Sequence, residues 1–481
     1  MTGPGRASSR GGILAAALLA AGCSAADRTV APNDSRLTAQ GEAFAENQWK
    51  YIPPLPAGGD DLTSVLLPGA CVWAMGDGTT AVNTICNTTP PPSSWSSGPA
   101  LPVALHSLAG AGVIGGKIYV AGGLDVDDKF TAGLYVYSAA GGWVLDAEPI
   151  PFKVGCGGAT VVNRKLYVFA STPLFPDDPT PCLSIGYINN VFAVYDPALP
   201  TPPRWRMLTS GPSTGYGAYG SIAAVGSTIY AAASTSYTYG FKVDSVDVFD
   251  VTAETWRTPI DFPMFHRWGG AVVAAHDRIY YIGGFNGHLD FDPSRIVSVF
   301  DPSTSSWDEA RPLQDSRRIP SAVAGGNKIA VVGSTSEWIT LGSGAGACDS
   351  HEPDDLATQA TPWRLFDQGS PNPWAPYGEY GPPVTQARVC SATDTDYFSV
   401  GQYNNWDGTV GVQLLPPPGA DYKLELLDAT GTQVLATSDN PGSVSETIDI
   451  PFTPGLILLL RVSSQNGSFD RVNPYRLEQL P

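Results

Sequence analysis

Histidine is scarce in this chain, with five residues among 481, and no two cysteines are spaced Cys-x-x-Cys. Protein zinc sites draw on close clusters of such residues, so the sequence predicts no metal site and no cofactor. The His-Glu-x-x-His signature of zinc proteases and the glycine-rich phosphate-binding loop are also missing. No catalytic residue is predicted, and a binding protein is favoured over an enzyme.

Positive charge is also in short supply. The 27 lysines and arginines face 45 aspartates and glutamates, which gives a formal net charge of −18. An acidic surface repels the phosphate backbone of nucleic acids. We therefore predict no DNA or RNA partner.

No apolar run in the chain is long enough for a membrane span. One short run, about a dozen residues, follows Arg6 and Arg10 and ends just before Cys23. A basic start, a short apolar core and small residues are typical of a secretion signal, predicted over residues 1–22. The protein is thus expected to be exported.

The signal ends in Ala21-Gly22-Cys23, which resembles a bacterial lipobox. This resemblance implies a lipid on Cys23, followed by a flexible tether over residues 23–48 that is poor in large apolar groups. Cleavage after Ala26 is the alternative. The expected location is therefore the cell envelope through a lipid anchor, or the secreted fraction, and the only expected membrane association is through that lipid.

Six cysteines remain after Cys23, and an even number in an exported chain suggests disulfides. Six cysteines allow fifteen pairings, so the sequence leaves the pairing open. Proximity in sequence favours two local pairs, and a third pair is what remains. The predicted disulfides are Cys71–Cys86, Cys156–Cys182 and Cys348–Cys390.

A repeated pattern of strand-forming and turn-forming residues occupies the middle of the chain. Its marker hydrophobic residues fall at positions 118, 166, 229, 279 and 329, with spacings of 48, 63, 50 and 50 residues. A period near fifty without a helical segment is typical of the blades of a β-propeller.

The repeat closely resembles the kelch motif. Gly122-Gly123 and Gly283-Gly284 match the glycine pair that ends the second strand of a kelch blade. The aromatic-Asp pairs at the end of the third strand and the tryptophans of the fourth strand also recur. They are Tyr195-Asp196, Phe249-Asp250, Phe300-Asp301 and Phe366-Asp367, and Trp95, Trp143, Trp205, Trp256 and Trp307.

The resemblance implies an all-β fold with a six-bladed kelch-type β-propeller over residues 49–382 and a degenerate first blade. A propeller closes its ring by pairing strands from the two ends of the repeat, which removes exposed strand edges. Residues 49–56 and residues 374–380 both fit the closing strand, and the sequence leaves that choice open.

Residues 386–481 show alternating strands at short spacing, the pattern of a small β-sandwich. Asp394-Thr395-Asp396-Tyr397 and the late strand after Gly455 resemble the bacterial pre-peptidase C-terminal domain, which has a jelly-roll-like fold. In that family the module is an accessory without catalytic residues. Asp394 and Asp396 are interpreted as a solvated turn rather than a calcium site.

The loops that lead into the innermost strands should emerge on one face of the propeller, together with acidic loops and two long insertions near residues 171–190 and 335–360. Long ordered loops on a rigid scaffold often carry binding sites. Counting twelve or thirteen residues back from the marker positions identifies the candidate binding residues. They are His106, Lys153, Tyr216, His266, Arg267 and Arg317.

We therefore expect a scaffold that binds a protein or a glycan at the cell envelope. The alternative is a carbohydrate-active enzyme similar to the sialic-acid mutarotases, with Arg267, Arg317 and Glu352 at the propeller mouth. A copper radical oxidase is disfavoured, because its site needs two histidines, tyrosine ligands and an unpaired cysteine, whereas only five histidines occur and every cysteine after Cys23 can be paired.

Overall fold

The computed structural model describes residues 49–56, 59, 62–67, 71–86, 92–173, 188–209, 221–232, 245–261, 267–286, 292–341, 356–357, 360–365, 384–402, 408–452, 457–471 and 473–480. The predicted signal, tether and lipid site at Cys23 lie outside these ranges. Within them the fold is all-β, as predicted, and no α-helix occurs. Accordingly, no membrane-spanning helix is found in the described part of the chain.

Antiparallel sheets follow one another through residues 49–340, and we number them 1 to 6. The chain begins with β1 (Trp49–Ile52). Sheet 1 contains β2 (Thr63–Leu67), β3 (Cys71–Met75), β4 (Val82–Cys86) and β5 (Ser96–Ser97); sheet 2 contains β6 (Gly110–Ile114), β7 (Lys117–Ala121), β8 (Leu134–Ser138) and β9 (Gly142–Leu145); sheet 3 contains β10 (Gly155–Val162), β11 (Lys165–Pro173), β12 (Ile188–Tyr195) and β13 (Trp205–Leu208).

Sheet 4 contains β14 (Ser221–Val225), β15 (Thr228–Ala232), β16 (Ser245–Asp250), β17 (Thr255–Trp256) and the short β18 (Ile260–Asp261). A small sheet of β19 (Arg267–Trp268), β22 (Phe285–Asn286) and β23 (Asp292–Pro293) adjoins sheet 5, which contains β20 (Ala271–Ala275), β21 (Arg278–Ile282), β24 (Val297–Asp301) and β25 (Ser306–Ala310). Sheet 6 contains β26 (Ser321–Gly325), β27 (Lys328–Val332) and β28 (Ser336–Thr340), and β1 completes it.

The first strands of these sheets contact one another in a closed ring. β2 contacts β6, and the sequence of contacts continues through β10, β14, β20 and β26 back to β2. This is the arrangement of a β-propeller, in which each sheet packs against two neighbours and no wide sheet edge is left open.

The N-terminal strand closes the ring. β1 runs antiparallel to β28, with Trp49 opposite Ile339. The indole Nε1 of Trp49 donates a hydrogen bond of 2.8 Å to the carbonyl oxygen of Arg311, just after sheet 5. Leu55, a few residues further along, is buried against sheet 1. Of the two predicted closing segments, the structure uses the first; residues 374–380 lie outside the described ranges.

The repeated tryptophans connect neighbouring sheets by the same hydrogen bond that Trp49 makes. Each indole Nε1 donates to a backbone carbonyl that precedes it by roughly one repeat, so a flat apolar ring fills the space between sheets while its polar atom is satisfied. The pairs are Trp95 to Pro53 at 2.6 Å, Trp143 to Pro99 at 2.8 Å, Trp205 to Glu148 at 3.3 Å and Trp256 to Thr209 at 2.7 Å.

The aromatic-Asp pairs also have a physical role. Asp301 accepts hydrogen bonds from the backbone nitrogen and hydroxyl of Ser303, which shapes the turn between the third and fourth strands. It also pairs with Arg278 at 3.3 Å. The preceding Phe300 packs on Trp307 across that turn, with ring centroids 5.1 Å apart.

The glycine pair is required by backbone conformation. Gly283 and Gly284 have φ values of 64° and 97°, which side-chain-bearing residues rarely adopt. A Cβ atom on Gly284 would also lie 2.5 Å from the carbonyl oxygen of Trp268. The same holds for Gly122, at 2.4 Å from the carbonyl oxygen of Val154.

One expected blade strand is elsewhere. The pair Phe366-Asp367, which lies outside the described residues, suggested the third strand of the last sheet. Instead that strand is β28, where Ile339 and Thr340 take the aromatic and aspartate positions, as its pairing with Ile329 shows. Residues 361–365 form β29 (Thr361–Leu365), which runs parallel to a strand of the C-terminal region.

The C-terminal region forms two further sheets. The first contains β29, β31 (Thr395–Gln402), β33 (Tyr422–Leu427), β34 (Val434–Ser438) and β36 (Ile457–Ser464). The second contains β30 (Val384–Ala387), β32 (Gly408–Leu415), β35 (Glu446–Phe452) and β37 (Tyr475–Gln479). Alternate residues of both sheets, such as Val412, Leu424 and Leu460, contribute to one hydrophobic core.

Four of the six cysteines predicted to form disulfides lie in the described residues, and all four are disulfide-bonded. Cys71 and Cys86 form a disulfide between β3 and β4, as predicted. Cys156 and Cys390 are also disulfide-bonded. Their predicted partners Cys182 and Cys348 lie outside the described residues, so those two pairings stay predictions.

Candidate functional site

The ends at which the chain enters the first strands lie on one face of the propeller, which we call the mouth. Short bridges connect its loops: Asp77 of sheet 1 pairs with His106 of sheet 2, and His106 pairs with Leu124 within sheet 2. Ser294 pairs with Arg317 in the same way between sheets 5 and 6. This network of backbone hydrogen bonds holds the mouth loops on a rigid support.

Strand register defines which residues are equivalent at the mouth. The four described residues that lie twelve positions before a marker hydrophobic residue are His106, Val154, Arg267 and Arg317. Lys153, one of the predicted site residues, is exposed and precedes the equivalent position by one residue. Tyr216 and His266 lie outside the described ranges.

Arg267 is buried inside its own sheet, with 1% of its surface exposed. Its guanidinium donates to the carbonyl oxygen of Ile296 at 2.8 Å and to the hydroxyl of Ser298 at 2.6 Å. It also lies over the ring of Tyr281, with the guanidinium carbon 4.9 Å from the ring centroid. These contacts make Arg267 a brace between the loop and the third strand.

Arg317 has the equivalent role in sheet 6 and is 6% exposed. Its Nη2 donates to Oε1 of Glu337 at 2.8 Å, and Oε2 of that carboxylate accepts from the backbone nitrogen of Gln314 at 2.9 Å. Burial raises the pKa of Glu337, although these hydrogen bonds and the charge of Arg317 oppose the shift. The predicted pair of ligand-binding arginines is therefore occupied by internal contacts.

His106 differs from both arginines. Its side chain is 25% exposed, and its Nε2 lies 3.0 Å from Oδ1 of Asp128 in the loop between the second and third strands of sheet 2. Its Nδ1 lies 3.2 Å from the hydroxyl of Ser107. Among the four equivalent residues His106, Val154, Arg267 and Arg317, His106 is thus the one whose ionisable side chain is partly exposed to solvent.

The acidic loops predicted at this face are only partly described. Asp125 uses its carboxylate within its own turn, where it accepts from the backbone nitrogens of Asp127 and Lys129 at 2.9 and 3.0 Å. Asp127 and Asp128 are exposed beside it, as is the apolar Val126. The remaining aspartates of these loops and insertions are Asp177, Asp178, Asp290, Asp354 and Asp355, which lie outside the described residues, and Asp292, of which only the backbone is described.

A cavity of about 110 Å³ lies between the first strands of all six sheets. Its walls are glycine, alanine, serine and other small or apolar residues, and none of the described residues that line it is charged. The hydroxyls of Ser64 and Ser321 are 2.5 Å apart across the boundary between sheets 1 and 6. Small side chains are needed there because six strands converge on one axis.

One structural observation and one sequence motif bear on possible catalysis or metal binding. The described residues contain no cluster of three histidine, cysteine or carboxylate side chains suited to a metal ion. Gly211-Pro212-Ser213-Thr214-Gly215 has the Gly-x-Ser-x-Gly pattern of serine hydrolases. That pattern acts on a strand-to-helix turn, and these five residues lie outside the described ranges.

Sequence reasoning missed the residues that hold the arginines. Ser298 and Glu337 occupy the same position in the third strands of sheets 5 and 6. Strand pairing places Ser298 and Glu337 beside the loops that carry Arg267 and Arg317. No local sequence motif predicts these contacts. A polar residue within an otherwise apolar third strand was the available signal.

The comparisons with known proteins agree with this architecture. The Kelch motif matches residues 267–314, which cover β19 to β25. Kelch-like protein terF of Aspergillus terreus is 26% identical over 62% of this chain and 62% of its own length. Kelch-like protein 25 of Xenopus tropicalis is 25% identical over 46% of this chain and 35% of its own length. The chain thus spans less than two thirds of either relative.

A solved structure titled "Structure of YjhT" matches 61% of this chain and 97% of its own chain, with a TM-score of 0.48 and 16% identity. The motif match and the kelch-like relatives support the kelch-repeat β-propeller class for this protein. Kelch propellers serve many functions, so the class alone names neither a ligand nor a reaction.

Proposed function

We propose that this protein is an exported kelch-type scaffold that binds a protein or a glycan at the cell envelope through the mouth of its propeller. The observation that carries the proposal is the contrast at the mouth positions. Arg267 and Arg317 are buried in internal contacts, whereas His106 and Asp128 face the surface beside exposed Val126. Such an exposed surface suits contact with a macromolecule.

The finer architecture belongs to the same proposal. The closed ring of first-strand contacts supports six blades, and the core shared by the two C-terminal sheets supports a β-sandwich of the pre-peptidase C-terminal type. The sequence of residues 1–26 supports export, with lipid attachment at Cys23 as the anchor. Mass spectrometry of the mature N-terminus distinguishes a lipidated Cys23 from cleavage after Ala26.

Binding is tested with the full chain on a glycan array and, separately, by chemical cross-linking in envelope membranes. The test variant is Asp128→Asn combined with His106→Ala. Asp277→Asn is the matched control, because Asp277 is also exposed, has the same φ of 59° as Asp128, and lies at the opposite end of the sheets. Binding that is lost only in the mouth variant supports the proposal.

Binding that survives the mouth variant contradicts it. The mutarotase alternative is tested in parallel by following sugar anomerisation by NMR. Turnover by the wild-type protein would favour that alternative over a scaffold. Glu352, which the alternative needs, lies outside the described residues, and both of its arginines have internal partners.

A further inference from the structure

Three neighbouring side chains at the mouth form a continuous hydrogen-bonded chain. The hydroxyl of Ser107 lies 3.2 Å from Nδ1 of His106, and Nε2 of the same ring lies 3.0 Å from Oδ1 of Asp128. A nucleophile within reach of a base, and a third group that orients the base, is the arrangement that activates serine in hydrolases.

The hydrogen-bond partners define the tautomer of His106. An ionised carboxylate can accept hydrogen bonds but cannot donate them. Nε2 therefore carries the proton and is the donor of the hydrogen bond to Asp128. Nδ1 is then the acceptor for the Ser107 hydroxyl. The ring therefore presents its basic nitrogen to the serine, with the roles of the two nitrogens exchanged relative to the common serine triad.

The backbone conformation of Ser107 is also unusual. Its φ is +44°, a conformation that few residues other than glycine adopt. Asp128 also has a positive φ, of 59°. Strained residues of this kind persist where the surrounding structure holds them, and they concentrate at functional sites.

We propose that Ser107, His106 and Asp128 form a nucleophilic relay that cleaves short-chain acyl esters. The size limit follows from burial, because Ser107 is only 4% exposed. The next residue, Leu108, lines the central cavity of about 110 Å³. Such limited exposure of the Ser107 hydroxyl favours a small acyl group over a long acyl chain.

The reaction proceeds in two balanced halves. The Ser107 oxygen bonds to the acyl carbon while its proton passes to Nδ1 of His106; the ester carbon–oxygen bond then breaks, and the alcohol leaves with that proton. Water next attacks the acyl-serine, again through His106. This step releases the carboxylic acid and restores the Ser107 hydroxyl.

The full chain is tested with p-nitrophenyl acetate and with a fluorophosphonate probe, followed by peptide mass spectrometry. We expect one probe adduct on the peptide that contains Ser107. Ester hydrolysis should fall by about 100-fold or more in Ser107→Ala and in His106→Ala, the usual range for loss of a nucleophile or general base. Asp128→Asn, which tolerates a positive φ, should be slower than wild type and faster than His106→Ala.

Two controls keep the result decisive. Ser213→Ala removes the competing serine of Gly211–Gly215 and should change neither labelling nor rate. Ser107→Gly suits the positive φ and replaces Ser107→Ala if the alanine variant does not fold, as judged by its melting temperature. Labelling of Ser213, absence of any adduct, or equal hydrolysis by wild type and Ser107 variants would overturn the relay.

Discussion

Trp49 donates its indole hydrogen bond to Arg311, a residue 262 positions later in the chain, at 2.8 Å. Trp143 makes the same contact with Pro99, only 44 positions earlier in the sequence. The first tryptophan of the described chain therefore replaces the one that the last sheet lacks. The last sheet thus has the same tryptophan contact as sheet 2, although it takes its fourth strand from the other end of the repeat region.

Trp49→Phe should lower the free energy of unfolding by about 1 to 3 kcal/mol, because the carbonyl of Arg311 loses its donor and a smaller ring fills the space. Urea unfolding measures the change. Trp143→Phe removes the same kind of bond between sheets 1 and 2 and is the matched control. A Trp49 variant as stable as wild type would contradict the closing role of β1.

Arg317→Met should cost about 3 to 5 kcal/mol, since it leaves the buried carboxylate of Glu337 without its cation. Arg318→Met is the neighbouring control, because Arg318 is exposed; a change within about 0.5 kcal/mol is expected there. Chemical unfolding of both variants provides the comparison. A stable Arg317 variant that has lost ligand binding would instead restore Arg317 as a binding residue.

The stabilisation that the Asp301 carboxylate provides should be lost in acid. Burial alone would raise the pKa of Asp301, but hydrogen bonds from Ser303 and the charge of Arg278 outweigh it, so the pKa lies below its ordinary value. The unfolded chain then binds the proton more readily, and the stabilisation present above the unfolded pKa is lost as the pH falls through the folded one.

The measurement is the melting temperature of wild type and Asp301→Asn between pH 7 and pH 3. The two curves should converge as the pH falls, because the substitution removes a contribution that acid also removes. Asp127→Asn serves as the control at an exposed aspartate in the mouth loop. A constant difference between wild type and Asp301→Asn would show that the carboxylate charge has no part in stability.

The Cys71–Cys86 disulfide closes a segment of sequence separation 15. Replacing both cysteines with serine should cost about 3 kcal/mol, the loss of chain entropy expected for a loop of this length. Urea unfolding of the double variant under oxidising conditions isolates this bond from the disulfides of Cys156 and Cys390. An unchanged midpoint would mean that the β3–β4 hairpin is already ordered in the unfolded chain.

Much of the propeller could be predicted because its markers are local. Gly283-Gly284 and Phe300-Asp301 each act within one turn, and a turn depends on adjacent residues. The last sheet could not be placed in this way, since Ile339-Thr340 departs from the marker and its fourth strand comes from Trp49. Sequence spacing carries no information about a strand that joins from the other end of the chain.

The mouth was predictable in position and not in chemistry. Counting from the marker residues located Arg267, Arg317 and His106 at the same level of their sheets. It could not show that Ser298 and Glu337 would occupy the two arginines, because those partners depend on strand pairing. Nor could it show that the neighbouring Ser107 adopts a positive φ.

The pairing of β1 with β28 also orders events in time. A newly made chain presents Trp49 long before Ile339 exists, so the first strand has to wait unpaired while nearly the whole propeller is synthesised. Its bonding groups are satisfied last, when the two ends of the repeat meet. Closure of the ring therefore requires β28 to have been made, and a chain interrupted before residue 336 retains an open sheet edge.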